Sequence, residues 1–467
     1  MDNEKSFLAP RKTLTRSTLY VILRLMGKPR VLLILLLLLV GLSACAPGHT
    51  GTNVLAYLRD GKVWTADPDG NNAFAVISPN TEVIGYSWSP DHHIFAFRSL
   101  DPEFAKTPAA RQIARHPLTG LVADMPALVQ TVGVDGGYPI AVAFSNPHTQ
   151  YSNPEWNKAG TRLVFRRSQV SESVPLESRT WLVTQNDQPG EIAARYLPGT
   201  YSIPSLSYQN NLVAANSEQG LYTSTQEATD QHFLTREVLP GHPLPASLER
   251  VLWQPNSNDS SVLYAIKAGP QKEGERLQVQ LILHTLSSGK TTTVTTCTCT
   301  QFAWAPDGKS ILYSDSNDLF LLDLQTKATL TLPKAGNSVP YWSPDSRFLL
   351  LDGDNSLQLV EPAQKRITTL LSAEHSKKQA SSVILSSPEA LLQPVTNNIW
   401  FSNSRQFLFL TRDRLLWQGH PLQQGNGLYT ITIDTTGNPQ GQPVQAASGN
   451  IQQAGWAYQD ANTSFLF

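Results

Sequence analysis

One short phrase recurs along this chain. Trp88-Ser-Pro-Asp91, Trp304-Ala-Pro-Asp-Gly308 and Trp342-Ser-Pro-Asp345 are each followed by a compact apolar run: Ile94-Phe-Ala-Phe97, Ile311-Leu-Tyr313 and Phe348-Leu-Leu-Leu351. A tryptophan ends one strand, a Pro-Asp turn follows, and a second strand begins. Self-similarity at a period of roughly 40–50 residues is the mark of a solenoid or a propeller.

Looser copies fill the gaps. Glu155-Trp-Asn-Lys-Ala-Gly160 leads into Arg162-Leu-Val-Phe165, and Leu206-Ser-Tyr-Gln-Asn210 into Leu212-Val-Ala-Ala215. Leu252-Trp-Gln-Pro255 leads into Ser261-Val-Leu-Tyr264, Ile399-Trp-Phe-Ser402 into Gln406-Phe-Leu-Phe-Leu410, and Gly455-Trp-Ala-Tyr458 into Ser464-Phe-Leu-Phe467. Further strand candidates such as Gly220-Leu-Tyr-Thr223, Asp318–Asp323 and Gly427–Ile433 lie between copies, so each unit reads as about four short strands, one propeller blade. Pro presets φ for a turn, Asp bonds to nearby backbone amides, and Gly accepts the positive φ that ends many turns. The tryptophan offers a large apolar face to pack between sheets. These roles account for the repeated residues structurally.

The fold expected is therefore all-β, a propeller of eight blades, with seven the alternative if one loose unit is only a loop. Val54–Leu58, Lys62–Thr65 and Ala73–Val76 are three outer-strand candidates with no Trp-Pro-Asp strand ahead of them, and the last unit has an inner strand with little after it. Pairing the two ends would make one blade and remove a free sheet edge. Three segments break the rhythm: 101–150, with little strand pattern; 374–398, with Ser387 and Pro388 as the start of a one-turn helix; and 411–427, which lengthens a hairpin.

The N-terminus reads as an address. Val31–Val40 is apolar throughout, too short to span a bilayer as a helix but of the length of a signal-peptide core, with Lys28 and Arg30 just before it. Leu42-Ser43-Ala44-Cys45 follows, and it resembles the lipobox of bacterial lipoproteins. That resemblance implies a diacylglyceryl thioether on Cys45 and cleavage just before it. Residues 1–45 are then a signal peptide, 46–52 a polar tether and 53–467 the propeller. Met26 stands five residues before the apolar run and offers an alternative start. The first 45 residues hold seven of the 36 Lys and Arg and two of the 37 Asp and Glu, so the remainder carries a net −6. A mildly acidic body without a basic run argues against nucleic acid as a partner.

The repeated phrase over most of 53–467 resembles the PD40 (WD40-like) repeats of the TolB family of periplasmic propellers, and also the propeller half of prolyl oligopeptidase-type peptidases. Trp88, Trp304 and Trp342 match well, Trp156, Trp253, Trp400 and Trp456 loosely, and the 206–210 unit has lost its tryptophan. The TolB resemblance implies a binding or scaffold module at the cell envelope, lipid-anchored to the membrane or held in the periplasm, with a protein or glycan partner. Some related propellers act on polysaccharide with a metal held by channel histidines, and that is the alternative.

Chemistry is sparse. No Gly-x-Ser-x-Gly elbow and no phosphate-binding glycine loop appears. His92-His93 fall in a turn. Asp67-Pro-Asp-Gly-Asn71 has the look of a calcium-loop fragment without its downstream Glu, and reads as a hairpin turn. Cys297-Thr-Cys299 is tight for an unstrained disulfide, so a strained bridge or none is expected rather than redox or metal chemistry. No catalytic residue, metal ligand or cofactor is assigned.

Overall fold

The computed structural model describes most of residues 54–456; the largest stretches outside the description are 1–53, 111–124, 170–179, 374–398 and 457–467. The chain divides into Met1–Thr50 and Gly51–Phe467. Its described residues form eight antiparallel sheets, with short 3-10 turns at Phe104–Lys106 and Pro362–Gln364.

The first sheet is made from both ends of the chain. Leu55–Arg59, Lys62–Ala66 and Phe74–Ile77 pair in succession, and Ile451–Trp456 adds on the other side of Leu55–Arg59 with Leu55 opposite Trp456 and Tyr57 opposite Ala454. Val83–Trp88, Ile94–Leu100, Ala127–Gly133 and Gly136–Ala143 form the second. The third runs from Thr149–Tyr151 and Glu155–Trp156 through Arg162–Gln169 and Thr180–Gln188 to Glu191–Leu197. Ser205–Leu206 begins the fourth, Leu252–Trp253 the fifth and Gln301–Trp304 the sixth, each with three further strands in chain order. Val339–Trp342 begins the seventh, and Trp400, bridged to Phe407, begins the eighth, which continues with Gly427–Thr432 and Val444–Ser448.

This order explains the apolar runs. The second strand of each unit is covered on both faces by neighbouring sheets, so Ile94-Phe-Ala-Phe97 and Phe348-Leu-Leu-Leu351 need no polar alternation. Outer strands do alternate or turn polar: Lys290–Cys297 is Thr-rich and mostly exposed. Each hydrophobic cluster spans two neighbouring sheets, from the first and second around Phe95 and Phe97 to the seventh and eighth around Phe348 and Phe407. One cluster joins the eighth to the first, through Phe401, Leu408, Leu55 and Trp456.

Two expectations change. Segment 101–150 is not one insertion: Ala127–Gly133 and Gly136–Ala143 are the two outer strands of the second sheet, leaving 101–126 as the connection. Gly136, Gly137 and Pro139 hid the second of these. Segment 411–427 does not merely lengthen its own hairpin, because Leu415–Trp417 and His420–Pro421 add to the seventh sheet beyond Arg366–Ala373. The expected turn at Ser387-Pro388 lies outside the described residues.

Candidate functional site

The recurring phrase builds one face of the propeller. The residue after the tryptophan position accepts a hydrogen bond from the backbone N–H five residues on: Ser89 Oγ from Ile94, Asn157 Oδ1 from Arg162, Ser207 Oγ from Leu212 and Ser343 Oγ from Phe348, each at 2.9 Å. The fourth residue, Asp, receives the next N–H groups of the turn, Lys309 N on Asp307 at 2.9 Å and Arg347 N on Asp345 at 3.1 Å. The fifth has positive φ: Gly160 69°, Gly308 69°, Ser346 58° and Ser404 56°. Serine there reaches the preceding blade. Ser346 Oγ accepts Asp307 N at 2.9 Å, and Ser404 Oγ accepts Asp345 N at 3.0 Å.

Gly308 serves the same contact by having no side chain. A Cβ there would stand 2.3 Å from Pro255 O, while Gln254 Nε2 donates to Gly308 O at 2.8 Å. Gly308→Ala therefore combines a left-handed backbone with a backbone clash, and about 1–3 kcal/mol of destabilisation is expected. A urea midpoint equal to that of the parent would refute the close approach.

The tryptophans complete the linkage. Five of the indole N–H groups donate to the carbonyl just before the tryptophan position of the preceding blade: Trp156 to Ser87 at 3.3 Å, Trp253 to Ser205 at 3.0 Å, Trp304 to Leu252 at 3.4 Å, Trp400 to Tyr341 at 3.0 Å and Trp456 to Ile399 at 2.9 Å. The phrase is thus occupied by architecture and its polar groups point into its own turns.

The opposite face differs. Because the strands of every blade alternate in direction, connections between first and second strands, and between third and fourth, leave on the turn face, where the longest is 433–443. All others leave on the second, loop face, among them the connection that departs from Leu100 through the turn Phe104–Lys106. At this loop face the described residues of the first three sheets carry a polar network around the buried Arg98 and Asp101. Gln453 braces the backbone of Tyr86, accepting from Tyr86 N at 3.1 Å and donating to Tyr86 O at 2.8 Å. Arg98, 3% exposed, donates from Nε to Asn153 Oδ1 at 2.8 Å and from a terminal nitrogen to Tyr151 O at 2.5 Å. Gly85 makes room for Asn153, since a Cβ there would come within 2.1 Å of its Oδ1. Asp101, also buried, accepts from the N–H groups of Glu103 and Phe104 at 2.9 Å and starts the 3-10 turn that opens segment 101–126. These groups fix the base from which the longest connection departs. Nothing in the sequence flagged Arg98 or Gln453, because partners far apart in the chain leave no local motif.

The residues singled out from sequence do not converge. Cys45 and His92 lie outside the described residues, and His93 is exposed in its turn. Asp67–Asn72 is a hairpin turn closed by Gly70 N to Asp67 O at 2.8 Å, with Asn72 on Asp67 and Asn71 on Asp69. Cys297 and Cys299 are joined by a disulfide. Shifted acidities follow local causes: hydrogen bonds from Thr326 hold the exposed Asp323 carboxyl below its usual range, those from Thr436 do the same for Asp434, and burial pushes the Tyr86 phenol up. Among the described residues no three His, Cys, Asp or Glu side chains gather into a metal-sized group.

No family model matches the chain, and no curated protein matches it. Solved structures with similar folds include a eukaryotic initiation factor, 12% identical over 88% of this chain and 100% of that one at a TM-score of 0.48. An oligogalacturonate lyase in complex with manganese is 12% identical over 62% of this chain and 79% of its own, at 0.43. The oligogalacturonate lyase of Vibrio parahaemolyticus is 11% identical over 62% and 80%, at 0.40. The assignment as a β-propeller rests on the strand pairing itself.

Proposed function

We propose that this chain is a lipid-anchored, extracytoplasmic propeller of eight blades, similar to the TolB-type propellers, that binds a protein or glycan of the cell envelope through its loop face. The observation that carries the binding reading is the asymmetry of the two faces. One is spent on hydrogen bonds between neighbouring turns, while segment 101–126 departs from the other above a fixed polar base. The anchor reading rests on Leu42-Ser43-Ala44-Cys45 behind its apolar run.

Two measurements test it. Metabolic labelling with a fatty-acid analogue should tag the chain, and Cys45→Ala should abolish the tag; a tag retained at full strength would refute acylation at Cys45. Photo-crosslinking residues placed in the native, full-length chain separate the faces. Position 103 on the loop face should trap an envelope component, and positions 307 and 345 on the turn face should trap it at least tenfold less. The reverse pattern would exclude the loop face. Stoichiometric manganese in the purified protein, with polysaccharide cleavage that a chelator removes, would replace the binder by the enzyme.

A further inference from the structure

Five large apolar side chains stand exposed among the described residues, and three belong to one stretch: Tyr138 at 98%, Ile140 at 47% and Phe144 at 75%. They lie along Gly136–Ala143, the outermost strand of the second sheet, and just beyond its end. Nothing in that sheet covers them, since the strand pairs only on its inner side, with Thr131 opposite Ile140 and Gly133 opposite Gly136. Edge strands are ordinarily guarded by charge. Here the sequence carries no Asp, Glu, Lys or Arg from Gly136 to Pro154.

What such an edge can receive is limited. Pro139 has no N–H to offer, and the pairing shifts register between Val129 and Gln130 and between Thr131 and Gly133. Both features spoil the regular ladder that strand addition by another chain requires. What remains is side-chain surface: an uncharged wall of Tyr, Ile and Phe. Aromatic residues of this kind collect at the boundary between lipid headgroups and hydrocarbon.

The chain also brings a lipid surface near. Residues 46–54 separate Cys45 from Leu55, and nine residues at full extension reach on the order of 30 Å. Leu55 opens the first sheet, which shares a hydrophobic cluster with the second. The outer strands touch as well, for a Cβ on Gly136 would lie 3.6 Å from Val76 O.

We infer that the outer wall of the second sheet rests on the bilayer to which Cys45 tethers the chain, with Tyr138, Ile140 and Phe144 at the lipid interface. This rests on the lipoprotein reading above. The ring is then held by its flank, and the loop face stays open to the envelope space.

The test uses the lipidated full chain reconstituted in phosphatidylcholine vesicles. A polarity-sensitive fluorophore is attached to one introduced thiol, in Tyr138→Cys, Phe144→Cys or, as a control on the outer strand of the sixth sheet, Thr331→Cys. With the three native cysteines acylated or bridged, the new thiol is the one labelled. Flotation measures anchoring, and quenching by brominated lipid measures contact. The expected result is flotation of all three, with quenching at 138 and 144 at least threefold that at 331. Flotation with equal quenching at the three positions would overturn the wall contact and leave the anchor standing. Failure of the parent chain to float would overturn both. Labels at 138 and 144 that are shielded by a co-purifying protein and untouched by brominated lipid would also overturn it.

Discussion

Removing residues 451–467 is expected to abolish cooperative folding rather than trim its stability. The strand Ile451–Trp456 is the inner strand of a sheet whose other members come from residues 55–77. Without it, Leu55–Arg59 loses the whole ladder on one side. Leu55, Tyr57 and Ala454 belong to the cluster that packs the eighth sheet onto the first, and Leu55 is 0% and Tyr57 1% exposed in the intact chain. Two hydrogen-bonded links leave with the strand: Gln453 on the Tyr86 backbone, and Trp456 Nε1 on Ile399 O. Loss of Trp456, Ile451 and Ala454 from a packed interface costs several kcal/mol at about 25 cal/mol per Å² of apolar surface. The bared ladder of Leu55–Arg59 adds an edge prone to aggregation. A domain's whole margin is only about 5–15 kcal/mol. The truncated chain should therefore show no sharp melting transition by calorimetry or circular dichroism, or should precipitate. A transition within a few degrees of the full-length protein's would show that the sheet formed by the two chain ends is dispensable.

The architecture was readable because the phrase is a physical necessity repeated. A tryptophan between sheets, a Pro-Asp turn and a strand buried on both sides leave a strong local trace, and even the unit without tryptophan keeps Ser207 in its capping place. Part of the same phrase carries little signal in sequence. Its serine looks like filler in sequence, yet in structure it accepts the N–H that closes the turn, and the serine at positive φ reaches back to the preceding blade. Ala127–Gly133 and Gly136–Ala143 were missed because outer strands need not be apolar, and glycines with φ of 86° and 115° at 136 and 137 interrupt the pattern. The polar network of Arg98, Asn153, Tyr86 and Gln453 was illegible for another reason. It joins residues up to 367 positions apart, and the pairing of Ile451–Trp456 into the first sheet is what brings the most distant of them together.

The indole linkage provides a prediction with an internal control. Trp400 and Trp342 occupy the same place in neighbouring blades, both are buried, at 4% and 3% exposure, and both belong to apolar clusters. They differ in one bond. Trp400 Nε1 donates to Tyr341 O at 3.0 Å, whereas Trp342 Nε1 has no hydrogen-bond partner among the described residues. Truncation to alanine should cost either site about 3–5 kcal/mol through lost burial and the cavity left behind. Replacement by phenylalanine keeps most of the ring and removes the donor. At 400 that also leaves the Tyr341 carbonyl, buried between blades, without its indole donor, at a further cost of about 1–2 kcal/mol. At 342 no bond is lost, and a buried donor without an acceptor is removed, which by itself is neutral or favourable. Trp400→Phe should therefore lower the urea midpoint clearly more than Trp342→Phe, with unchanged m-values in both. If Trp342→Phe costs as much as Trp400→Phe, the indole bond contributes nothing measurable, and the tryptophan phrase is a matter of apolar packing alone.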